Sequence, residues 1–295
     1  MKNILFTVSA CCAFLTVFAQ KPEPAIGRAT YEFIHIRDTT KSDKPFKETM
    51  SLLVGRNASV YKSLSKQQEQ EALDKQIDGQ VKSAVDPNKL SLTITGGGVH
   101  SDEEYYQFIN DKKLFIEDQV VNYYLTEEAL PVIKWHIQKD TMSFGALHAQ
   151  KATTHFKGRD YEAWFCSELP FRTGPWQLNG LPGLILQAMD SKKEVMFNFK
   201  GFEDVSDKAI DITLPKDDIK TTVKDLAHLK EIRIKDPQGF AKATQGSGQQ
   251  RMRSGNKPFG DIDPSRIASI NVNKSTNTNS AVINNPIELR EQKEN

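Results

Sequence analysis

Between residues 29 and 202 the chain alternates short runs rich in β-branched and aromatic residues with clusters of Gly, Pro, Asn and Asp, and this rhythm restricts the fold more than any other feature. The runs are 30–37, 48–54, 90–95, 104–109, 113–117, 120–125, 134–138, 149–156, 159–165, 184–189 and 195–202. At hairpin spacing they predict a mainly β fold: a single curved antiparallel sheet or half-barrel of about ten strands with one or two packed helices. In the first run Tyr31, Phe33 and His35 share one face while Glu32, Ile34 and Ile36 share the other, which implies partial cover on both sides. Two segments break the rhythm. Residues 63–84 are rich in Gln, Lys and Glu, with Leu73 and Ile77 one helical turn apart, and predict a surface helix or mobile insertion outside the core. Residues 217–232 carry Ile219, Val223, Leu226 and Leu229 at near-helical spacing behind acidic residues, the pattern of an amphipathic helix packed on the sheet.

With 38% apolar and 26% charged residues, 39 Lys+Arg against 38 Asp+Glu, and a mean hydropathy of -0.52, the chain has the composition of a soluble globular protein. This excludes global disorder, a membrane span in the body of the chain and a broad basic surface for nucleic acid. At the N-terminus Lys2, the apolar run from Ile4 to Phe18 and the small-residue site at Val17-Phe18-Ala19 predict a signal peptide over residues 1–19, hence export to the periplasm or cell surface. Val8-Ser9-Ala10-Cys11 resembles a lipoprotein box, but lipidation at Cys11 would cut the apolar run in half, so a soluble exported form is expected. Without residues 1–19 only Cys166 remains, and no internal disulfide can form. The β-rich domain is expected over 20–240. From 241 to 295 eight Asn and a single aromatic, Phe259, predict a low-complexity, disordered tail.

Signals for catalysis are weak. None of the six histidines falls in a metal-binding spacing, and His148 and His155 would point to opposite faces of one strand, so neither metal nor cofactor is expected. Cys166 invites a thiol-enzyme reading, but its neighbours Trp164, Phe165 and Glu168 are aromatic and acidic, a setting that disfavours a thiolate. There is no Gly-x-Ser-x-Gly elbow, and Gly96-Gly97-Gly98 lacks the lysine of a phosphate loop. No catalytic residue is assigned and the chain is read as a non-enzyme.

The distinctive stretch runs from Phe156 to Leu186. Lys157-Gly158 predicts a hairpin turn that places Tyr161, Ala163 and Phe165 on one face and Glu162 and Trp164 on the other. Leu181-Pro182-Gly183-Leu184 has the residues of a type II turn, with Gly183 at the positive-φ position. With Gly174-Pro175 and Asn179-Gly180 it folds the chain around Trp176, as a structural corner or as the rim of a binding site. Gly180-Leu181-Pro182-Gly183-Leu184-Ile185, preceded by Gly158-Arg159-x-Tyr161-x-Ala163-Trp164 and Gly174-Pro175-Trp176, resembles the motif set of the GLPGLI family. The resemblance implies an exported, β-rich envelope protein of Gram-negative bacteria in a family whose activity is not established. One departure is Ala149, where that pattern leads one to expect Cys before Gln-Lys-Ala. The expected function is a periplasmic binding or carrier module with an apolar hollow lined by Trp135, Tyr161 and Trp176, and the alternative is an accessory protein that presents strand edges or its tail to an envelope partner.

Overall fold

The structure is a computed structural model, and it describes residues 22–120, 122–245, 262–274 and 283–291. The expected signal peptide, Cys11 and Phe259 lie outside these. In chain order the strands are β1 (Glu23–Pro24), β2 (Gly27–His35), β3 (Phe46–Val54), β4 (Ala58–Ser63), β5 (Leu90–Gly96), β6 (Glu104–Phe108), β7 (Lys113–Gln119), β8 (Tyr123–Ala129), β9 (His136–Phe144), β10 (Leu147–Phe156), β11 (Arg159–Cys166), β12 (Leu184–Asp190), β13 (Val195–Asp204), β14 (Asp211–Ile212), β15 (Ile219–Lys220) and β16 (Ile267–Lys274). The helices are α1 (Leu64–Ser83), α2 (Val223–Lys235) and α3 (Pro237–Gln245). Twelve strands form one open sheet in the order β15-β8-β7-β6-β4-β3-β2-β13-β12-β11-β10-β9, antiparallel except where β15 joins β8. The expected mainly β sheet with few helices is what is found.

Chain connectivity makes this sheet curl. Strands β8 and β9 stand ten places apart, which in a flat sheet would separate them by roughly 48 Å at about 4.8 Å per strand. Only residues 130–135 join them, a link that reaches about 25 Å when fully extended. The ends must therefore approach one another, and residues 167–183 fill the resulting hollow. In that loop the Trp176 carbonyl accepts from Gln107 Nε2 on β6 (3.1 Å), and the Thr173 hydroxyl meets Ser59 Oγ on β4 (2.9 Å). Asn179 reaches the other side: its carbonyl accepts from Trp135 Nε1 (2.8 Å), while its Nδ2 donates to the Pro131 carbonyl (3.2 Å). The core that surrounds it alternates as pattern demands: on β2 Tyr31, Phe33 and His35 are buried, while Glu32, Ile34 and, just past the strand, Ile36 are not.

Several local expectations change. The run 90–95 leaves the main sheet and pairs in parallel with β16, and β4, whose Ala and Ser residues mask its alternation, takes a central place instead. Helix α1 is capped by Ser63, whose Oγ accepts from Lys66 N (2.8 Å), yet Ile77 is buried rather than outside the core. Its glutamines bind the free edge of β5: Gln80 exchanges hydrogen bonds with the amide and carbonyl of Thr93, each at 2.7 Å. Helix α2 begins at Val223, because Ile219 is taken into β15.

The turn at Lys157-Gly158 forms as expected, with both residues at positive φ, the geometry that suits a two-residue hairpin. The type II turn at 181–184 does not. Positive φ falls on Trp176 (57°) and Gly180 (93°), and Gly183 is required for another reason: a Cβ there would lie 2.2 Å from the Cys166 carbonyl oxygen. Gly183→Ala should lower stability by about 1–3 kcal/mol, whereas Gly201→Ala, with nothing within 4 Å, should change it by less than about 1 kcal/mol. Urea unfolding of both variants checks this, and equal effects would remove the packing explanation for Gly183.

Candidate functional site

The hollow of the sheet is not completely filled. A cavity of about 430 Å³ remains over the central strands, within the range of small-molecule sites. Phe33, Met50, Tyr61 and Phe197 from β2, β3, β4 and β13 form its floor together with Trp176. Two later segments wall it. Helix α2 contributes Lys230, Arg233 and Ile234, and residues 283–287 contribute Ile283, Pro286 and Ile287. His35, Arg37, His100, Asp102, Glu103 and Asp118 complete the mouth.

The floor is an aromatic stack. Trp176 lies parallel to Phe197 (ring centroids 6.5 Å, planes 12° apart), and Phe33 stacks on Phe197 at 5.1 Å. Such contacts exceed the worth of burial alone. Tyr61 is buried and its hydroxyl has no hydrogen-bond partner among the described residues. The Trp176 indole N–H is instead directed to the Tyr105 hydroxyl, which also lines the cavity. Buried polar atoms are usually satisfied, so the Tyr61 hydroxyl in the cavity wall points to this floor as the place where a ligand atom or water would be accommodated.

Each wall is held by charge. From α2, Lys230 pairs with Asp118 and, at 3.0 Å, with Glu103, while Arg233 Nη1 donates to the Val120 carbonyl (3.1 Å). Burial and the Glu103 charge raise Asp118 to about 6, against the Lys230 ammonium. Glu103 is only half-buried, and Lys230 and the Tyr105 hydroxyl hold it below the usual carboxylate range against the cost of that burial.

The second wall hangs on Asn285, which is buried although it lies in the Asn-rich stretch expected to be a solvated tail. Its carbonyl accepts from His35 Nε2 (2.8 Å), its Oδ1 from Arg159 Nη2 (2.7 Å), and its Nδ2 donates to the Ile36 carbonyl (2.7 Å). The backbone amides of Asn284 and Asn285 both donate to the Arg37 carbonyl. Two described parts of that stretch, 267–274 and 283–291, are thus folded onto the domain. Composition does not reveal this because the attachment is made mainly of polar groups.

The motif residues divide between three places. Gly158 and Arg159 line a separate polar groove with His155, Asp160 and Asp190. Tyr161, Gly174, Leu181, Gly183, Leu184 and Ile185 are buried in the core, where a Cβ on Gly174 would meet Ile185 at 2.7 Å. Pro175 is buried beside Trp176, whereas Pro182 and Gly180 are exposed and Trp164 lies half-buried on the outer face, under Lys151. Only Trp176 borders the cavity; Tyr161 packs behind it at 6.3 Å, and Trp135 lies beyond Asn179. Of Trp135, Tyr161 and Trp176, expected to line an apolar hollow together, Trp176 lines this cavity. Among the cavity residues that sequence reasoning did not assign, Met50, Tyr61, Phe197 and Lys230 come from four separate elements and Arg37 from the segment after β2. Only the shared face of Phe33 and His35 was a sequence signal for them.

Cys166 is a free thiol buried in the core. His148 pairs with Glu168 at an exposed site, and His155 with Asp160 and Glu291. Among the described residues no group of three or more His, Cys, Asp or Glu side chains is arranged to hold a metal ion, and no helix is long and apolar enough to cross a membrane.

A family model described as a protein of unknown function (Porph_ging) matches residues 133–187, the span that contains the motif loop and Trp176. A comparison with curated proteins finds no match. Among solved structures, PNGF-II in space groups P21 and C2 is similar with TM-scores of 0.45 and 0.44 and 11% sequence identity. The alignments cover 69% and 68% of this chain, which spans 32% of the length of either PNGF-II chain.

His35 gives the site a pH signature. Burial pushes its imidazole down to about 4, helped by the Arg37 cation and opposed by the Asn285 carbonyl. Between the ordinary value of 6.5 and about 4 the unfolded chain binds a proton that the folded chain refuses, so stability falls as pH descends, by up to about 3 kcal/mol. Asp118 acts oppositely: its folded pKa lies above 3.8, so it adds stability as pH falls through 6. His35→Gln keeps a donor for Asn285 and removes only the first contribution. Urea unfolding should show the variant losing less stability than the parent between pH 6.5 and 4.5, and parallel curves would contradict the assignment.

Proposed function

We propose that this chain is an exported envelope protein of GLPGLI type, acting as a binding or carrier module for a small apolar molecule held in the cavity over β4, β3, β2 and β13. The observation that carries the reading is the aromatic floor formed by Phe33, Tyr61, Trp176 and Phe197, open between two walls that other segments supply. A core could have been closed by larger side chains at these positions; instead a volume of about 430 Å³ is kept, and the buried Tyr61 hydroxyl in its wall has no hydrogen-bond partner among the described residues. Cys166 lies elsewhere in the core, so the reading assigns it no chemistry. A second reading, an accessory protein that pairs with an envelope partner, is favoured by β9, which ends the sheet with Ile137 and Met142 exposed. The tail segment 283–291 is committed to its own domain and does not serve that reading.

The neutral fluorescent probe N-phenyl-1-naphthylamine tests the cavity. Saturable binding at one site is expected, and Val99→Trp, a substitution at an exposed lining position, should weaken it about tenfold, which corresponds to about 1.4 kcal/mol. Val85→Trp, at a fully exposed position away from the cavity, should leave it unchanged. Absence of saturable binding, or equal behaviour of the two variants, would overturn the reading.

A further inference from the structure

Charge pairing around the mouth says which kind of apolar molecule the cavity suits. Three acids border it and each is engaged: Asp118 and Glu103 share Lys230, and Asp102 pairs with Lys66 at 3.4 Å. Glu48, the acid with the largest influence on Arg37, lies behind the lining and accepts from Ser63 Oγ and from the Ser101 amide at 3.1 and 3.0 Å. Arg37 has no such partner. Among the described residues no carboxylate oxygen lies within 4 Å of its guanidinium, and none of its side-chain N–H groups donates a hydrogen bond to the protein, although the group is half-buried with its carbon 3.3 Å above the Phe46 ring centroid. The Phe46 face fixes the plane of the fork and leaves its edges free, an arrangement suited to a planar or tetrahedral anion. The same chain position is anchored from behind, since the Arg37 carbonyl accepts from both Asn284 and Asn285.

Continuing from the binding reading above, we propose that the ligand of this cavity is an anionic amphiphile, with its carboxylate or comparable oxyanion held by Arg37 and its apolar body laid on the Phe33, Tyr61, Trp176 and Phe197 floor. Burial disfavours the guanidinium charge, and Glu48, Glu103 and Asp102 offset this only from beyond ion-pair distance, so an anion at the fork supplies the close pair that none of these acids makes. A cationic ligand would face Arg37 and the half-buried Lys230 with no free acid to receive it. Arg37, and not the six-residue family motif, would then set ligand class.

Isothermal titration calorimetry of the full chain with octanoate, 1-octanol and octyltrimethylammonium tests this. Octanoate should bind about tenfold more tightly than 1-octanol, a difference of about 1.4 kcal/mol, and octyltrimethylammonium more weakly than both. In Arg37→Gln the ratio of octanoate to octanol affinity should fall to about one, and Arg37→Lys should restore part of it. If Arg37→Gln fails to fold, the parent chain still decides: raising NaCl from 50 to 500 mM should weaken octanoate and leave 1-octanol unaffected. Equal affinity for octanoate and octanol, or a preference that survives Arg37→Gln or high salt, would overturn the anion assignment while the apolar cavity stands. Failure of all three probes to bind would overturn both.

Discussion

Arg159 carries five N–H donors on a guanidinium that is almost completely buried, and each has an acceptor. Nη1 pairs with Asp190 Oδ2 (2.7 Å) and Glu194 Oε2 (3.1 Å), Nη2 donates to Asn285 Oδ1 (2.7 Å) and the Pro286 carbonyl (2.8 Å), and Nε to the Ile287 carbonyl (2.9 Å). A buried cation is tolerated only when its charge and all its donors are met, and a planar fork is the one side chain that can join so many acceptors at once. The acceptors come from the end of β12 and the turn after it and from a segment 126 residues beyond Arg159. Without this knot the stretch 283–291 would have little reason to lie on the domain, since Ile287 is the main apolar group it offers to the core. With it, Asn285 meets His35, and Ile283, Pro286 and Ile287 become a wall of the cavity.

The other half of the architecture follows from the short link between β8 and β9, which makes the sheet curl, and from the loop 167–183 that fills the curl. Trp176 is the centre of that filling, packed against Phe156 and Tyr161 on one side and Phe197 on the other. Its positive φ is uncommon for a bulky residue and turns the indole inward. The motif loop is thus a plug whose inner surface is the cavity floor. The two alternatives read from sequence, structural corner and ligand rim, meet in one side chain.

How much of this was legible depended on whether the signal was local. Alternation in Tyr31-Glu32-Phe33-Ile34-His35 reports its faces directly, Leu73 and Ile77 one turn apart mark α1 as a helix, and Lys157-Gly158 specifies its turn because few residues accept that backbone. Gly183 looked like a turn glycine and is instead a contact glycine, because its neighbour Cys166 is distant in the pattern and close only after β11 and β12 pair. The strand β4 was hidden by Ala and Ser, and β16 by polar alternation that resembles a solvated stretch. Most elusive was Asn285: hydrogen-bonding capacity leaves no hydrophobic trace, and its partners Arg159, His35 and Ile36 are gathered from across the fold.

The central claim is that Arg159 fastens the segment 283–291 as a built wall of the cavity. Hydrogen-exchange mass spectrometry of the full chain reads it directly, because the amides of Asn284, Asn285 and Leu289 donate to the carbonyls of Arg37 and Lys157. Protection of that segment alongside β11 is expected, with selective loss in Arg159→Lys, which keeps the charge but not the fork, while β2 and β3 remain protected. Exchange at the rate of an unstructured peptide in the parent protein, or protection undiminished by Arg159→Lys, would contradict the account.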